Sequence, residues 1–209
     1  MKLAILLPTR GLVFGETVRS LIENTKGFET EWKLAIGLPI PDCHNSVVEQ
    51  ALETDCPYFL FVEEDMVLPE GAVERMYGQG DIVALDYPVD SGHGTVQRKG
   101  GEIIFCGLGC TMIRREVFER MEKPWFETTR SLRIISENPF EYEVWDVPYK
   151  YGGQDMLFCH KARELGFAIQ AVEGEAKHLR LRQLDERKYN QGTQVIEALT
   201  PIAKHINYS

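Results

Sequence analysis

The sequence predicts an α/β protein built on a mostly parallel sheet with helices on both faces. Short apolar runs alternate with stretches of helical periodicity through the first half of the 209 residues, in β-α-β-α-β-α-β order. Parallel strands joined by crossover helices produce that order. The run at 58–62, Tyr-Phe-Leu-Phe-Val, is apolar throughout, as a strand covered on both faces is. Pro8, Pro69 and Gly166 stand at the ends of such segments, where a missing N–H or a left-handed backbone costs least.

Taken in order, residues 3–7 read as a buried strand closed by Pro8. Residues 16–24 carry Val18, Leu21 and Ile22 at helical spacing, and 32–38 read as the second strand. Residues 46–53 are helical, with Val47, Val48, Ala51 and Leu52 on one side. The strand at 58–62 is followed by a short helix at 69–76, with Pro69 in its first turn, and by a fourth strand at 82–85. The pattern then changes. Segments 95–99 and 102–105 flank Gly100-Gly101, a hairpin signal that adds a small β-hairpin region. A strand at 110–113 and a helix at 115–121 follow. Residues 122–151 read as irregular and rich in aromatics, among them Trp125, Phe126, Phe140, Tyr142, Trp145 and Tyr149. Residues 154–165 form a clear helix ended by Gly166, 168–172 a last strand, and 194–205 a helix interrupted near Pro201. The expected division is one domain over 1–180 and a C-terminal helical extension over 181–209 packed on it.

The bulk numbers narrow the function classes. The chain is 44% hydrophobic and 26% charged, an ordinary globular balance. Its formal net charge of −9 disfavours a phosphate backbone as partner. A basic stretch with Lys177, Arg180, Arg182, Arg187 and Lys188 runs against the sum, although Asp185 and Glu186 balance it as on any solvated face. The five cysteines contain no C-x-x-C pair, which argues against a disulfide framework or a zinc knuckle and for buried, reduced thiols. The opening apolar run is too short for a signal-peptide core or a membrane span, so the expected location is the cytoplasm.

Four groups of residues carry chemistry. Glu63-Glu64-Asp65 follows the apolar strand directly, and ligands bind outside the carboxyl ends of such strands. Three adjacent carboxylates repel, and a divalent cation offsets that; Glu63 and Asp65, two apart, face the same side of an extended chain. A solvated turn before Pro69 fits the same residues. Gly152-Gly153-Gln154-Asp155 opens the helix at 154–165, where the helix dipole favours an ionised Asp155, as a general base must be and as ordinary first-turn acids are. His178 lies shortly after the last strand, where an imidazole suits either a metal shared with Asp65 or a plain surface. Pro8-Thr9-Arg10-Gly11 offers loop N–H groups and a guanidinium to a nucleotide's base or diphosphate. Neither G-x-G-x-x-G nor a P-loop pattern occurs there.

The order of these pieces resembles glycosyltransferase family 2 and its GT-A relatives, particularly short single-domain members of the phage type. Leu7-Pro8-Thr9-Arg10-Gly11 resembles the family's opening nucleotide-binding loop, and Tyr58 through Val67 looks like its strand ending in D-x-D, written here Glu63-x-Asp65. Gly107-Leu108-Gly109-Cys110 is similar to the segment that shapes the donor site. Gly153-Gln154-Asp155 resembles the start of the helix bearing the catalytic acid, and His178 matches the later histidine that completes the metal site. His44-Asn45 stands where relatives often carry arginine-asparagine.

The resemblance implies a GT-A catalytic domain and a metal-dependent, inverting sugar transfer from a nucleotide-diphosphate donor, a UDP-sugar being favoured. Implied donor-binding residues are Pro8, Thr9, Arg10, Asn45, Glu64, Asp65, Gly107 and Gly109; Glu63, Asp65 and His178 would hold Mn²⁺ or Mg²⁺. Asp155 would be the catalytic base, and Trp125, Trp145, Gly153 and Gln154 would meet sugar or acceptor. The acceptor stays open between a glycan, a protein and a modified DNA base. So does a non-catalytic module that only binds nucleotide sugars or glycans.

Overall fold

The computed structural model describes residues 1–89, 94–137, 140–146 and 153–179. Gly152, the helix expected at 194–205 and the basic residues Arg180, Arg182, Arg187 and Lys188 lie outside the described residues.

The alternation of apolar residues along the first strand, β1 (Lys2–Thr9), decides the layering. Ala4 and Leu6 belong to one buried cluster, Leu3, Ile5 and Leu7 to another, so both faces of this strand are covered. The same holds for β3 (Tyr58–Val62), whose Phe59 and Phe61 face one cluster and Leu60 and Val62 the other. With β2 (Glu29–Ile36), β5 (Ile82–Asp86), β8 (Cys110–Arg114) and β11 (Ile169–Glu175) they form a six-stranded sheet in the order β11-β5-β8-β3-β1-β2. β1 runs parallel to β2 and β3, and β5 parallel to β11. β8 lies between β3 and β5, antiparallel to both.

One face is covered by α2 (Asp42–Leu52), α4 (Arg115–Arg120) and α5 (Gln154–Glu164), which contribute Val47, Val48, Ala51, Val117, Phe118, Phe158 and Ala162. There Phe158 stacks on Phe118 and Phe126, which are tilted to each other, and Phe61 meets Phe118 and Phe126 at tilted and edge-on angles, with ring centroids 4.8–6.3 Å apart. Each fully buried ring of this kind is worth about 1.5–3 kcal/mol of transfer free energy. The other face is covered by α1 (Gly15–Asn24) and α3 (Ala72–Met76) through Leu21, Ala72, Val73 and Met76. Three small pairings complete the described structure: β4 (Met66–Val67) with β12 (Lys177–His178), β6 (Gln97–Lys99) with β7 (Glu102–Phe105), and β9 (Arg130–Glu137) with β10 (Phe140–Asp146). No helix of the described residues is long and apolar enough to cross a membrane.

The α/β class, the mostly parallel sheet and the hairpin around Gly100-Gly101 are as the sequence predicts. Three expectations need correction. Residues 122–151 are not irregular throughout, because β9 and β10 form an antiparallel ribbon within them. The alternation Glu141-Tyr142-Glu143-Val144 is a period-two signal that the aromatic content obscured. Pro69 does not sit in the first turn of α3; it precedes the helix, and its carbonyl accepts the Ala72 N–H. α2 begins at Asp42, directly after Pro41, so His44 and Asn45 are helical.

Candidate metal centre

β3 delivers its carboxylates to the carboxyl end of the sheet. The Glu63 N–H bonds to Gly109 O (3.1 Å), and the Met66 N–H closes a turn on Glu63 O (3.2 Å). β4 then pairs antiparallel with β12, placing His178 opposite Met66, and the Leu179 N–H bonds to Asp65 O (2.7 Å). This two-residue ladder brings His178 onto Asp65, with Nε2 and Oδ2 3.3 Å apart.

The other ring nitrogen settles the chemistry of that contact. His178 Nδ1 lies 3.1 Å from Pro88 O, and a carbonyl only accepts, so Nδ1 carries a hydrogen. In the neutral ring Nε2 is then a bare lone pair facing a carboxylate oxygen. Two acceptors at this distance require a proton on one of them or a cation between them. The carboxylate beside His178 raises its pKa, which is the protonic answer. The metal answer fits equally: a ligating histidine characteristically donates its second N–H to a backbone carbonyl. Ligand atoms of Glu63, Asp65 and His178 all lie within 4.8 Å of one another. Burial first, then the charges of Asp65 and Asp155, push the Glu63 carboxyl up to about 7. A divalent cation would relieve that repulsion, and the donor set of two carboxylates and an imidazole suits Mn²⁺.

Tyr87, which the sequence reading passed over, walls this group. Its ring stands edge-on to His178 with centroids 5.6 Å apart, and its hydroxyl accepts the Gly109 N–H (3.0 Å). A Cβ at Gly107 or Gly109 would come within 2.2 or 2.8 Å of the Tyr87 hydroxyl, so both glycines are required by this packing. Asp86 fixes the loop that holds Tyr87 and Pro88. Its Oδ1 accepts N–H bonds from Tyr87 (2.9 Å), Thr95 (2.7 Å) and Val96 (3.1 Å), and a bond from the Thr95 hydroxyl (3.2 Å). An acid at the end of an apolar strand was the signal available for it.

Glu64 points to different work. Buried, it accepts from the Thr9 hydroxyl (2.6 Å) and the Arg10 N–H (2.8 Å) through Oε2, while Oε1 pairs with the Arg10 guanidinium. It therefore anchors the loop after β1, where Pro8 is buried and the Arg10 side chain stays 81% exposed.

Asp155 lies in the first turn of α5, with Oδ1 accepting the Met156 N–H (2.8 Å), and its charge reaches Glu63 and Tyr87. Gly153 caps the helix at φ 82°, in the left-handed region that favours glycine. Gln154 is buried, and its Oε1 has no hydrogen-bond partner among the described residues.

The remaining expected residues are not brought to this cluster by any described contact. Asn45 exchanges two hydrogen bonds with the Phe126 backbone (2.9 and 3.1 Å). Trp125 is buried in the aromatic core with its indole N–H on Phe118 O (2.9 Å), so no sugar can stack on it. Trp145 is exposed on β10, with Arg133 over its ring.

No protein-family profile matches the chain, and no curated protein sequence is detectably similar. Solved structures are similar at the level of fold. A197 from STIV superposes with a TM-score of 0.64 at 20% identity, over 86% of this chain and 86% of that one. The chain shares that protein's fold. A glucosyl-3-phosphoglycerate synthase from Mycobacterium tuberculosis, crystallised with Mn²⁺ and uridine-diphosphate-glucose, also matches, over 95% of this chain and 78% of that one. Its identity is 15% and its TM-score 0.45, too remote to support a functional argument.

Proposed function

We propose that this protein is a metal-dependent glycosyltransferase that moves a sugar from a nucleotide-diphosphate donor to an acceptor hydroxyl, with inversion. The observation that carries the reading is the meeting of Glu63, Asp65 and His178 at the carboxyl end of the sheet, with Asp155 in electrostatic reach. Glu63, Asp65 and His178 would hold Mn²⁺ or Mg²⁺, which supplies charge stabilisation to a leaving diphosphate. Arg10, held by Glu64 and open to solvent, meets the nucleotide diphosphate beside the Thr9 backbone. Asp155 takes the proton of the acceptor hydroxyl. A proton acceptor acting on the attacking hydroxyl, with no covalent intermediate, gives inversion. Gly153 lets backbone approach a sugar closely.

The test is a thermal-shift screen of nucleotide sugars with Mn²⁺ and with EDTA. A bound donor stabilises the folded state by about 2.7 kcal/mol at one hundred times its dissociation constant. Stabilisation by a UDP-sugar should require Mn²⁺ and disappear in Asp65→Asn. Equal stabilisation in EDTA would refute the metal's role, and metal-dependent binding without donor hydrolysis or transfer would identify a binding module instead.

A further inference from the structure

β2 closes one side of the six-stranded sheet, and no described strand pairs with its outer edge. It is eight residues long, contains no proline, and runs against β1 in an unbroken register. Sheet edges of this kind are ordinarily blunted by bulges, prolines or unpaired inward charges, because an open edge templates pairing with another chain. The apolar side of this edge is also open: Trp32, Leu34, Ile36 and the following Leu38 are 37, 41, 64 and 45% exposed. These even-numbered residues share one face, while Glu29, Glu31, Lys33 and buried Ala35 share the other.

The backbone can be read in the same way. The Glu29 N–H bonds to Met1 O (2.9 Å) and the Gly37 N–H to Thr9 O (2.8 Å), so odd-numbered residues turn their amides toward β1. Thr30, Trp32, Leu34 and Ile36 therefore present their N–H and C=O groups outward. Gln50 Nε2, which donates to Leu34 O (3.2 Å), reaches that carbonyl and leaves its second lone pair.

We infer that β2 is the interface of a two-fold dimer, in which a second copy of this chain adds its own β2 antiparallel and joins the two sheets into one. A two-fold axis normal to the sheet preserves faces, so only residues of equal parity can pair. Two registers use nearly the whole strand. Centred on Lys33, the pairing sets Lys33 against Lys33 of the second copy, and like charges directly opposite destabilise a ladder. Centred on Trp32, it sets Glu31 against Lys33 of the second copy, twice by symmetry, with Cβ atoms about 4.5–5.5 Å apart. That register also stacks the two Trp32 side chains across the axis and pairs Leu34 with Thr30. Glu31 and Lys33 already attract within one chain (3.0 Å), so dimerisation exchanges the two internal pairs, one in each copy, for two crossed ones. The charge pattern thus selects the second copy in the Trp32-centred register. The strands being antiparallel, the two carboxyl-end sites face opposite ends of the joined sheet and stay open. The inference does not depend on the chemistry proposed above.

Sedimentation velocity on the full chain, together with amide hydrogen exchange, tests it. The wild type should sediment at twice the chain mass, with the Thr30, Trp32, Leu34 and Ile36 amides protected in proportion to dimer. Lys33→Glu alone and Glu31→Lys alone should each be monomeric, since each opposes like charges. Mixed in equal amounts they should form a heterodimer, because every crossed pair is again opposite in sign; the same holds for the double variant alone. This rescue separates a lost interface from a lost fold. A wild type that stays monomeric at the highest soluble concentration would overturn the proposal. So would a dimer indifferent to both charge reversals, or edge amides protected independently of concentration, which would mean that another part of the same chain or a foreign protein covers β2.

Discussion

At the scale of single residues, the site is a problem of negative charge held out of water. Burial, and after it the charges of Asp65 and Asp155, move the Glu63 carboxyl to about 7. His178 supplies the one described imidazole that opposes this. In the proposed reaction Asp155 keeps a separate role, taking a proton while the others hold the cation. Asp155→Asn should leave donor binding nearly unchanged, because an amide oxygen can still accept the Met156 N–H that Oδ1 accepts now. It should lower transfer by about a hundred- to ten-thousand-fold, the usual contribution of a general base. Single-turnover rates of the variant with a bound donor check this, and a rate within a few-fold of wild type would remove Asp155 from the mechanism. Glu63, Asp65, Asp155 and His178 all stood out as candidates in the sequence, since each is a polar residue shortly after a strand or opening a helix. Tyr87 was not, because an aromatic residue after a strand looks like core until the Gly107-Leu108-Gly109 backbone is seen against it.

At the scale of elements, the site depends on connections that leave almost no local pattern. β4 and β12 are two residues long each, and nothing in Met66-Val67 or Lys177-His178 announces a ladder between distant parts of the chain. The direction of β8 was equally hidden: its apolar run marks a strand, but its antiparallel place between β3 and β5 follows from the route of the chain through the β6–β7 hairpin. The loop after β5 shows how one side chain substitutes for regular structure. Four donors converge on Asp86 Oδ1, and this loop carries both Tyr87 and the Pro88 carbonyl that orients His178. Asp86→Ala should destabilise the protein by more than about 2 kcal/mol, since hydrogen bonds to a charged acceptor contribute about 1.5–3 kcal/mol each and these are lost together. It should also weaken Mn²⁺ binding measured well below the melting temperature, because His178 loses its positioning carbonyl. Asp86→Asn, which keeps an oxygen acceptor, should lie between the variant and wild type. Calorimetric titration with Mn²⁺ reads the effect, and unchanged affinity in Asp86→Ala would confine Asp86 to stability alone.

At the scale of the whole molecule, the two-faced sheet was legible because covered strands are apolar on both sides and their helices show one apolar stripe. His44 stands where relatives of the resembled family often carry arginine, and the structure gives it a place in the core. It is buried on α2 beside Phe61 and Phe126, with ring centroids 6.1 and 5.3 Å away, and its Nδ1 lies 3.3 Å from Cys43 Sγ. Its Nε2 has no partner among the described residues. Burial alone lowers its pKa to about 4 from 6.5, and no charged neighbour contributes. The folded protein therefore holds this ring neutral over a range in which the unfolded chain protonates it. As pH falls below 6.5, the unfolded state gains a proton that the native state does not, so stability declines. The decline is complete below about 4, where both states are protonated, and it amounts to about 3 kcal/mol for a shift of this size. Urea unfolding from pH 7 to pH 4 should show this loss on top of the contribution of the carboxylates. His44→Phe keeps a ring between Phe61 and Phe126 but cannot titrate; whatever its baseline stability, its total loss between pH 6.5 and 4 should be smaller by that amount. Parallel stability curves for wild type and variant across this interval would show that His44 takes up its proton in the folded protein as readily as in the unfolded chain.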